Sequence, residues 1–317
     1  MTAYLTRRVG QALAVVVGVM ILTFILIHME PGSAARSILG FRATAARVAI
    51  FNNTYGLNEP LYKQFGTYLD QLVHGNFGIS YYYQQPVSSL IAQRLPKDIV
   101  LVGLSTVLAL LIAIPLGIYQ AVDRNRISDN LLTGATFTLY AMPTFFVALL
   151  LIGLLAVQTH VFPPVAPQNQ TVGGMLADPR ALVLPVVTLA LVTLAGYSRY
   201  MRSSVIDTLA QDYLRVVRAK GLPERLVLSR HVLRNSILPV ITVVGLSVPN
   251  IVGGAVITED IFNYQGMGQL YYGAAVQHDF PILLGATFIV GIATVVGNLA
   301  ADIAYGILDP RIRHAGG

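Results

Sequence analysis

The 317-residue sequence contains no cysteine, and only 11% of its residues are charged. The absence of cysteine excludes disulfide bonds, zinc sites built on thiolates and cysteine nucleophiles. Soluble domains average about 25% charged residues, whereas here 55% of all residues are hydrophobic. The low charge and the high apolar content indicate a protein that crosses a membrane several times.

Two further classes are excluded by what the chain lacks. The net charge is +6, but the basic residues lie in loops between apolar stretches, so it does not indicate a nucleic-acid partner. The sequence also has no G-x-x-x-x-G-K-[ST] motif, the loop that cradles nucleotide phosphates. This chain is therefore not expected to hydrolyse ATP by itself.

Stretches without charged residues outline the membrane spans, since a spanning helix needs about 20 apolar residues. The longest of these stretches could hold two helices, but its second part, THVFPPVAPQNQTVGG, has the proline, glycine and polar content of a loop. No A-x-A-like cleavage site follows the first stretch, so it is read as a retained span. We predict an all-α membrane protein with six transmembrane helices, at 9–28, 99–121, 131–157, 182–202, 237–258 and 282–306.

The distribution of basic residues predicts the orientation. Of the 21 Lys and Arg residues, 14 fall in the segments 1–8, 122–130, 199–236 and 303–317. The short loops on the other side hold only Arg180. Because short cytoplasmic loops are enriched in Lys and Arg, we expect a multi-pass protein of the cell membrane with both termini in the cytoplasm.

The segment 29–98, on the opposite side, is too polar to span and too long for a plain loop. Within it, Leu61, Phe65, Tyr68/Leu69 and Leu72 recur at helical spacing and predict one amphipathic helix. The segment is either a small packed cap or a docking surface for a partner. Three consecutive tyrosines at 81–83 fit either a partner contact or interfacial anchoring.

The segment 203–236 carries six Lys and Arg residues between two apolar stretches. Its first half has helical periodicity, with Val205/Ile206, Leu209, Tyr213 and Val216/Val217 on one face. Gly221-Leu222-Pro223 is typical of a helix end, and a second short helix is predicted from Glu224. From charge alone, such a segment could simply fix the topology and lie on anionic lipid.

Several short segments along nearly the whole chain form one set. They are Tyr55-Gly56-Leu57-Asn58 with Pro60, Gly75-Asn76-Phe77-Gly78-Ile79-Ser80, Tyr213, Arg215, Arg218-Ala219-Lys220-Gly221-Leu222, Arg230-His231, Leu233, Arg234-Asn235, Pro239, Glu259 with Phe262, Gly266-Met267-Gly268-Gln269-Leu270 and Leu308-Asp309-Pro310-Arg311-Ile312-Arg313. With these segments, in order and at matching spacing, the sequence resembles the cytoplasmic coupling loop and flanking motifs of ABC-importer permeases, and more narrowly the B-type subunit of the dipeptide/oligopeptide permease family. It departs from that pattern at Asn76, at Gln265 and at Ser33-Ala34, where the family commonly has Asp, Pro and Asp-Pro.

The resemblance implies an ABC-importer permease fold with an extended outer segment. It divides the chain into a first transmembrane helix (1–28), an outer segment (29–98) and a five-helix core (99–317) that contains the coupling segment 203–236. It implies a non-catalytic subunit that forms half of a translocation pathway by alternating access. The implied partners are a sister permease, two ATPase subunits that carry ATP and Mg, an extracytoplasmic solute-binding protein and membrane lipid.

The resemblance also assigns the coupling segment to contact with the ATPase. Leu222 and Leu226 are then candidates for apolar contacts, and the charged residues are candidates for a rim that tunes register. The residues expected to take part are Arg215, Arg218, Ala219, Lys220, Gly221, Leu222, Arg225 and His231.

Polar residues inside or beside the spans are candidates for the translocation path, because their burial in lipid is costly. These are Asn250, Glu259 and Asn298. For Asn250 the alternative is an interhelical hydrogen bond, and for Glu259 it is a cap on the short helix that follows. Arg199 and Arg202 are read as lipid or topology anchors at the inner boundary.

The cargo stays open at this point. Peptides follow from the resemblance, while nickel, glutathione and sugar oligomers are alternatives on the same scaffold. The six histidines are scattered, which gives no indication of a metal site. An ion-driven secondary transporter would favour inverted repeats and buried acids, and a membrane hydrolase would need paired catalytic groups at one depth; neither pattern is seen.

Overall fold

The computed structural model describes residues 2–29, 33–40, 42–169 and 171–308. This part of the chain is helical and contains no β-strand; its one isolated bridge pairs Ile79 with Pro86. The predicted all-α class is confirmed. In chain order the helices are α1 Thr2–Met29, α2 Ala34–Leu39, α3 Ala45–Thr54, α4 Leu61–Val73, α5 Val87–Val122, α6 Ile127–Ala141, α7 Thr144–Leu151 with a π-helical turn Ile152–Gln158, α8 Val172–Leu176, α9 Pro179–Leu209, α10 Asp212–Ala219, α11 Glu224–Leu226 with a π-helical turn Val227–Val232, α12 Leu233–Ser236, α13 Leu238–Leu246, α14 Val248–Gly253, α15 Val256–Ile261, α16 Met267–Gln277 and α17 Phe280–Leu308.

Three described helices are long and apolar enough to cross a membrane: α5, α9 and residues Phe280–Ala300 of α17. Two bent pairs pass the same criterion together, which brings the number to five, and a shorter apolar helix covers Ala14–Met29. The count of six spans therefore stays a prediction.

The predicted helix 131–157 is not one helix. It breaks at Met142-Pro143 into α6 and α7, and the two parts meet at an angle of 103°. Proline disfavours the α conformation for the residue before it, and Met142 accordingly has an extended ψ of 129°. The prediction was wrong here because it followed the absence of charge and gave Pro143 no weight.

The predicted helix 237–258 is likewise divided, into α13, α14 and α15. α14 contains Pro249 and ends at Gly253, which is followed by Gly254 with φ of +78°. Glycine adopts this left-handed conformation without the steric cost that other residues incur.

Two helices extend beyond their predicted limits. α5 begins at Val87 instead of 99, and α9 ends at Leu209 instead of 202. In both cases the prediction stopped at charged residues that the fold pairs internally. Asp98 in α5 is fully buried and accepts a hydrogen bond of 2.6 Å from the backbone N–H of Met267, at the start of α16, where a carboxylate is favoured.

The described chain divides into two compact units, each treated by itself below. The first contains residues 2–98, 252–256 and 265–295, and the second contains residues 99–251, 257–264 and 296–308. The division into 1–28, 29–98 and 99–317 implied by the resemblance stays a prediction.

The core of the first unit is built from α1, the start of α5, α16 and α17. Its fully buried side chains include Met20, Val87, Leu270 and Ile282. The amphipathic helix predicted from 61–72 is α4, and its Phe65, Tyr68, Leu69 and Leu72 pack against this core. Leu61, predicted on the same face, is exposed.

Part of segment 29–98 has a small core of its own around Phe51 and Tyr81. Tyr81 is buried, whereas Tyr82 and Tyr83 are exposed, so the three tyrosines do not act alike. Burial, and next the nearby carboxylate of Asp279, raises the pKa of Tyr81 well above its usual range. Asp279 also accepts hydrogen bonds from Ser80 Oγ (2.5 Å) and from the N–H of Tyr82 (3.0 Å), which fixes this segment against the start of α17.

The second unit packs around α9. One cluster joins α9 to the loop at 262–264 through Leu184, Phe262 and Tyr264. A second lies at the other end of α9, around Met201 and Val205, and includes the segment 203–236.

α5 approaches α9 closely at Gly117. A Cβ added there would lie 2.7 Å from Met201 Cβ and 2.8 Å from the carbonyl oxygen of Ser198. No real side chain tolerates these distances without a shift of one helix. By contrast, a Cβ added at Gly103, in the same helix, meets nothing within 4 Å.

We therefore expect Gly117→Ala and Gly103→Ala to have opposite effects on the free energy of unfolding. Gly117→Ala should destabilise the protein by about 1–3 kcal/mol through overpacking. Gly103→Ala should be neutral or stabilising by up to about 1 kcal/mol, because alanine favours the helix. Thermal unfolding of both variants in one detergent measures the difference; equal stability would mean that α5 and α9 are not in close contact at Gly117.

Candidate functional site around Gly221

The coupling segment, residues 203–236, consists of the end of α9, then α10, a turn at Gly221 and the helical stretch Glu224–Ser236. α10 ends at Ala219, and Gly221 follows with φ of +75°. Pro223 then precedes the second helix with an extended ψ of 142°. The helix end and the second helix thus lie where Gly221-Leu222-Pro223 predicted them.

In the first half of the segment, the sequence predicted one continuous helix from Val205 to Val217, and the structure differs. The chain breaks after Leu209 and resumes helical structure at Asp212. The break rotates the buried face. Leu214, which the uninterrupted periodicity left off the apolar face, is fully buried, whereas Val216 is 59% exposed.

Apolar packing holds the two halves of the segment together and against α9. Leu214, Val227 and Val232 are fully buried in one cluster with Met201 and Val205 of α9. Leu222 is half-buried and packs against the same cluster. Only a small part of the Leu222 side chain is therefore accessible to a partner.

Hydrogen bonds fix the same arrangement. Tyr213 Oη donates to the carbonyl oxygen of His231 (3.2 Å) and accepts from Asn235 Nδ2 (2.7 Å), which joins α10 to the second helix. Ser236 Oγ, fully buried, donates to Thr208 Oγ1 at 2.9 Å and so joins the end of that helix to α9. A buried hydrogen bond of this kind contributes about 1 kcal/mol.

A two-pronged ion pair bridges the glycine turn. Arg218 donates from Nη2 to Glu224 Oε1 (2.7 Å) and from Nε to Oε2 (3.2 Å). The hydrogen bond to Glu224 raises the pKa of Arg218 above its usual value. Both side chains are about half exposed, so the pair fixes the geometry of the turn more than it adds stability.

The outer surface of α10 and the turn is open. Arg215, Val216, Ala219 and Lys220 are exposed on one side of α10, and a Cβ at Gly221 would meet nothing within 4 Å. Val216 is the large apolar residue among the basic ones on this surface. The periodicity predicted that it would lie on the buried face. Of the other predicted coupling residues, Arg225 is exposed and His231 is half-buried.

The end of α9 from which the segment starts is held by a buried ion pair. Arg202 donates from Nη2 to Asp129 Oδ2 (2.8 Å) and from Nε to Oδ1 (3.0 Å). The side chain of Asp129 is 1% exposed and that of Arg202 is 27% exposed. The N–H of Asn125 and the hydroxyl of Thr133 also donate to this carboxylate. Arg202, read from sequence as a lipid or topology anchor, is committed to an internal contact.

Comparison with known proteins decides the family. Residues 113–314 match the family described as binding-protein-dependent transport system inner membrane component, and residues 1–102 match its N-terminal companion. The chain belongs to this family. It is 39% identical over 316 residues to the oligopeptide transport system permease protein AppB of Bacillus subtilis, covering 99% of this chain and 100% of the relative. It is 32% identical over 337 residues to the dipeptide transport system permease protein DppB of Escherichia coli K12, covering 99% of both.

The resemblance stated from the motifs is confirmed by these matches, and the chain is a permease component of a transport system in the membrane. The family assignment also confirms the prediction of an all-α permease. The roles of individual residues in this permease stay predictions.

The three residues predicted along the translocation path have different surroundings. The side chain of Asn250 lies outside the described part of the structure. Asn298 is half-buried on α17. Glu259 is fully buried inside α15, and the helix that follows has Gly266 as its N-cap. Whether Glu259 caps that helix or faces the solute stays a prediction.

Asp129→Asn should destabilise the permease by about 2 kcal/mol. The substitution keeps the shape of the side chain but leaves the half-buried guanidinium of Arg202 without a counter-charge. Asp123→Asn is the matched control, because Asp123 pairs with Arg126, whose side chain is 73% exposed; such pairs contribute less than about 1 kcal/mol. Thermal unfolding in detergent measures both, and equal losses would contradict the anchoring role of Asp129.

Proposed function

We propose that this permease is one of two membrane subunits of an ATP-driven importer of di- and oligopeptides, and that it forms half of the translocation pathway by alternating access. The observation that carries the proposal is the exposed helix–glycine–helix of the coupling segment, held rigidly on its inner side and open on its outer side. The peptide cargo is supported by the names of relatives that match 99% of the chain.

The proposed orientation has both termini and the coupling segment in the cytoplasm, with residues 29–98 outside. It is supported by the 14 Lys and Arg residues of the predicted inner segments. In this arrangement an extracytoplasmic solute-binding protein docks on the outer side, and a sister permease supplies the other half of the pathway. Residues 1–28, 29–98 and 99–317 are then the first span, the outer segment and the permease core.

The partner at the coupling segment is proposed to be a nucleotide-binding ATPase, one of two that carry ATP and Mg. The exposed face of α10 offers Val216 and Ala219 for apolar contact, and Arg215 and Lys220 for a charged rim. Arg218 contributes through its pair with Glu224, which holds the turn at Gly221. Val216, and not Leu222 as predicted, is the apolar residue that is exposed enough to contribute binding free energy to the contact with the ATPase.

Movement of the ATPase would reach α9 through the contacts that join the segment to it. The buried hydrogen bond from Ser236 to Thr208 and the cluster around Leu214 connect the second helix and α10 to the end of α9. Close-packed contacts of this kind shift as a unit rather than deform, which suits the transmission of a displacement.

Gly221→Val should reduce copurification of the ATPase subunits and peptide-stimulated ATP hydrolysis by tenfold or more, at unchanged amounts of permease in the membrane. A β-branched residue is strained at φ of +75°, so the turn must change shape. Gly221→Asn should retain more coupling, since asparagine tolerates the left-handed conformation.

Gly75→Val is the matched control for intrinsic strain, because Gly75 has φ of +74° and nothing within 4 Å of its Cβ position, and it lies outside the coupling segment. It should keep the ATPase subunits bound. Full coupling in Gly221→Val, or equal loss in both variants, would count against the proposed docking site.

The cargo is tested by ATP hydrolysis of the purified complex in lipid, with the solute-binding protein loaded in turn with di-, tri- and oligopeptides, nickel and glutathione. Stimulation by peptides alone is the expected result. Stimulation by nickel or glutathione alone would replace the cargo but keep the importer. A permease that copurifies with no ATPase would favour the ion-driven secondary transporter.

A further inference from the structure

A cavity of about 400 Å³ in the second unit lies beside the end of α9 and has no part in the function proposed above. Its walls come from the end of α5, from one face of α6 and from α9. The face of α6 contributes Thr133, Thr136, Phe137 and Tyr140, which recur at helical spacing. This face therefore gives the cavity both polar side chains and aromatic rings.

Three arginines, Arg124, Arg199 and Arg202, line the cavity, and no carboxylate does. Only Arg202 is neutralised, by Asp129 behind it. Across the described residues, neither Arg124 nor Arg199 has an ion-pair partner. The cavity thus presents about two uncompensated positive charges, which suits an anion with several acceptor oxygens.

The aromatic residues that line the cavity, Phe137 and Tyr140, indicate that the anion carries an apolar group. The guanidinium of Arg199 lies 4.9 Å from the centroid of the Tyr140 ring, a cation–π contact between two lining side chains. Phe137 and Tyr140, which line the cavity, are both 55% exposed. Apolar surface beside the arginines is therefore open to the surroundings of α6.

We propose that this cavity binds the headgroup phosphate of an anionic phospholipid, with its acyl chains along the exposed surface of α6. Arg124 and Arg199 contact the phosphate directly, and Arg202, fixed by Asp129, closes the base of the site. Arginine suits this role because its planar guanidinium donates two parallel hydrogen bonds to phosphate oxygens. A peptide carboxylate fits less well, since a transported solute must leave and several fixed arginines would retain it.

The test is lipid binding to the purified permease, full-length and with the subunits that copurify with it. After delipidation, phosphatidylglycerol or phosphatidylcholine with identical acyl chains is added, and bound lipid is measured by native mass spectrometry. We expect at least tenfold tighter binding of phosphatidylglycerol. Arg124→Gln/Arg199→Gln should weaken that binding roughly 30-fold, which is about 2 kcal/mol, and leave phosphatidylcholine unchanged.

Arg230→Gln/Arg234→Gln is the matched control, because it removes two exposed arginines that lie outside the cavity and, among the described residues, have no ion-pair partner. It should bind phosphatidylglycerol like the wild type, and Arg124→Lys/Arg199→Lys should fall between the wild type and Arg124→Gln/Arg199→Gln, because lysine keeps the charge but not the paired donors. Equal binding of both lipids by the wild type, or equal loss in the two Gln variants, would overturn the site. Displacement by the water-soluble headgroup glycerophosphoglycerol, or by peptide, at concentrations equal to the lipid would overturn its assignment to lipid.

Discussion

The carboxylate of Asp129 is the constraint on which the described functional region depends. A buried carboxylate is costly unless it is neutralised and its oxygens are satisfied. Here Arg202 supplies the charge, and Asn125 and Thr133 supply further donors. The pair joins the start of α6 to the last turns of α9. It thereby determines where α9 points as it enters the coupling segment.

Close packing around the end of α9 also fixes the position of the coupling segment. Gly117 lets the backbone of α5 approach α9 next to Met201 and Arg202, so the two helices and the ion pair occupy one tightly packed layer. From there Met201 and Val205 continue into the cluster that holds Leu214 and Val227. The coupling segment is therefore an extension of the packing around α9 and not a loop attached to it. The same arginine also lines the cavity beside α6, so one ion pair borders both features.

How much of this was predictable depends on whether a pattern is local. Gly221 and Pro223 act on their immediate neighbours, and the helix end and the second helix were predicted correctly from them. The start of α5 and the end of α9 were not, because Asp98 and Arg202 are charged and their partners, Met267 and Asp129, are distant in sequence. The buried face of α10 was missed for another local reason. The break at 210–211 carries no glycine or proline to announce it, and it rotates Leu214 inward in place of Val216.

The rigid inner side and the open outer side of the coupling segment are physically connected. A turn that transmits a displacement must keep its shape, but a Cβ at Gly221 would meet nothing within 4 Å, so the turn depends on contacts made by its neighbours. The ion pair between Arg218 and Glu224 links the two ends of the turn. The hydrogen bond of Tyr213 to His231 joins α10 to the helical stretch Glu224–Ser236. These contacts use polar groups at the edges and leave Val216 and Ala219 uncovered between them. A segment that only fixed the topology would need positive charge but would not need the Arg218–Glu224 pair or the hydrogen bonds of Tyr213. These contacts are therefore a stronger argument than the charge that α10 and its turn meet a partner.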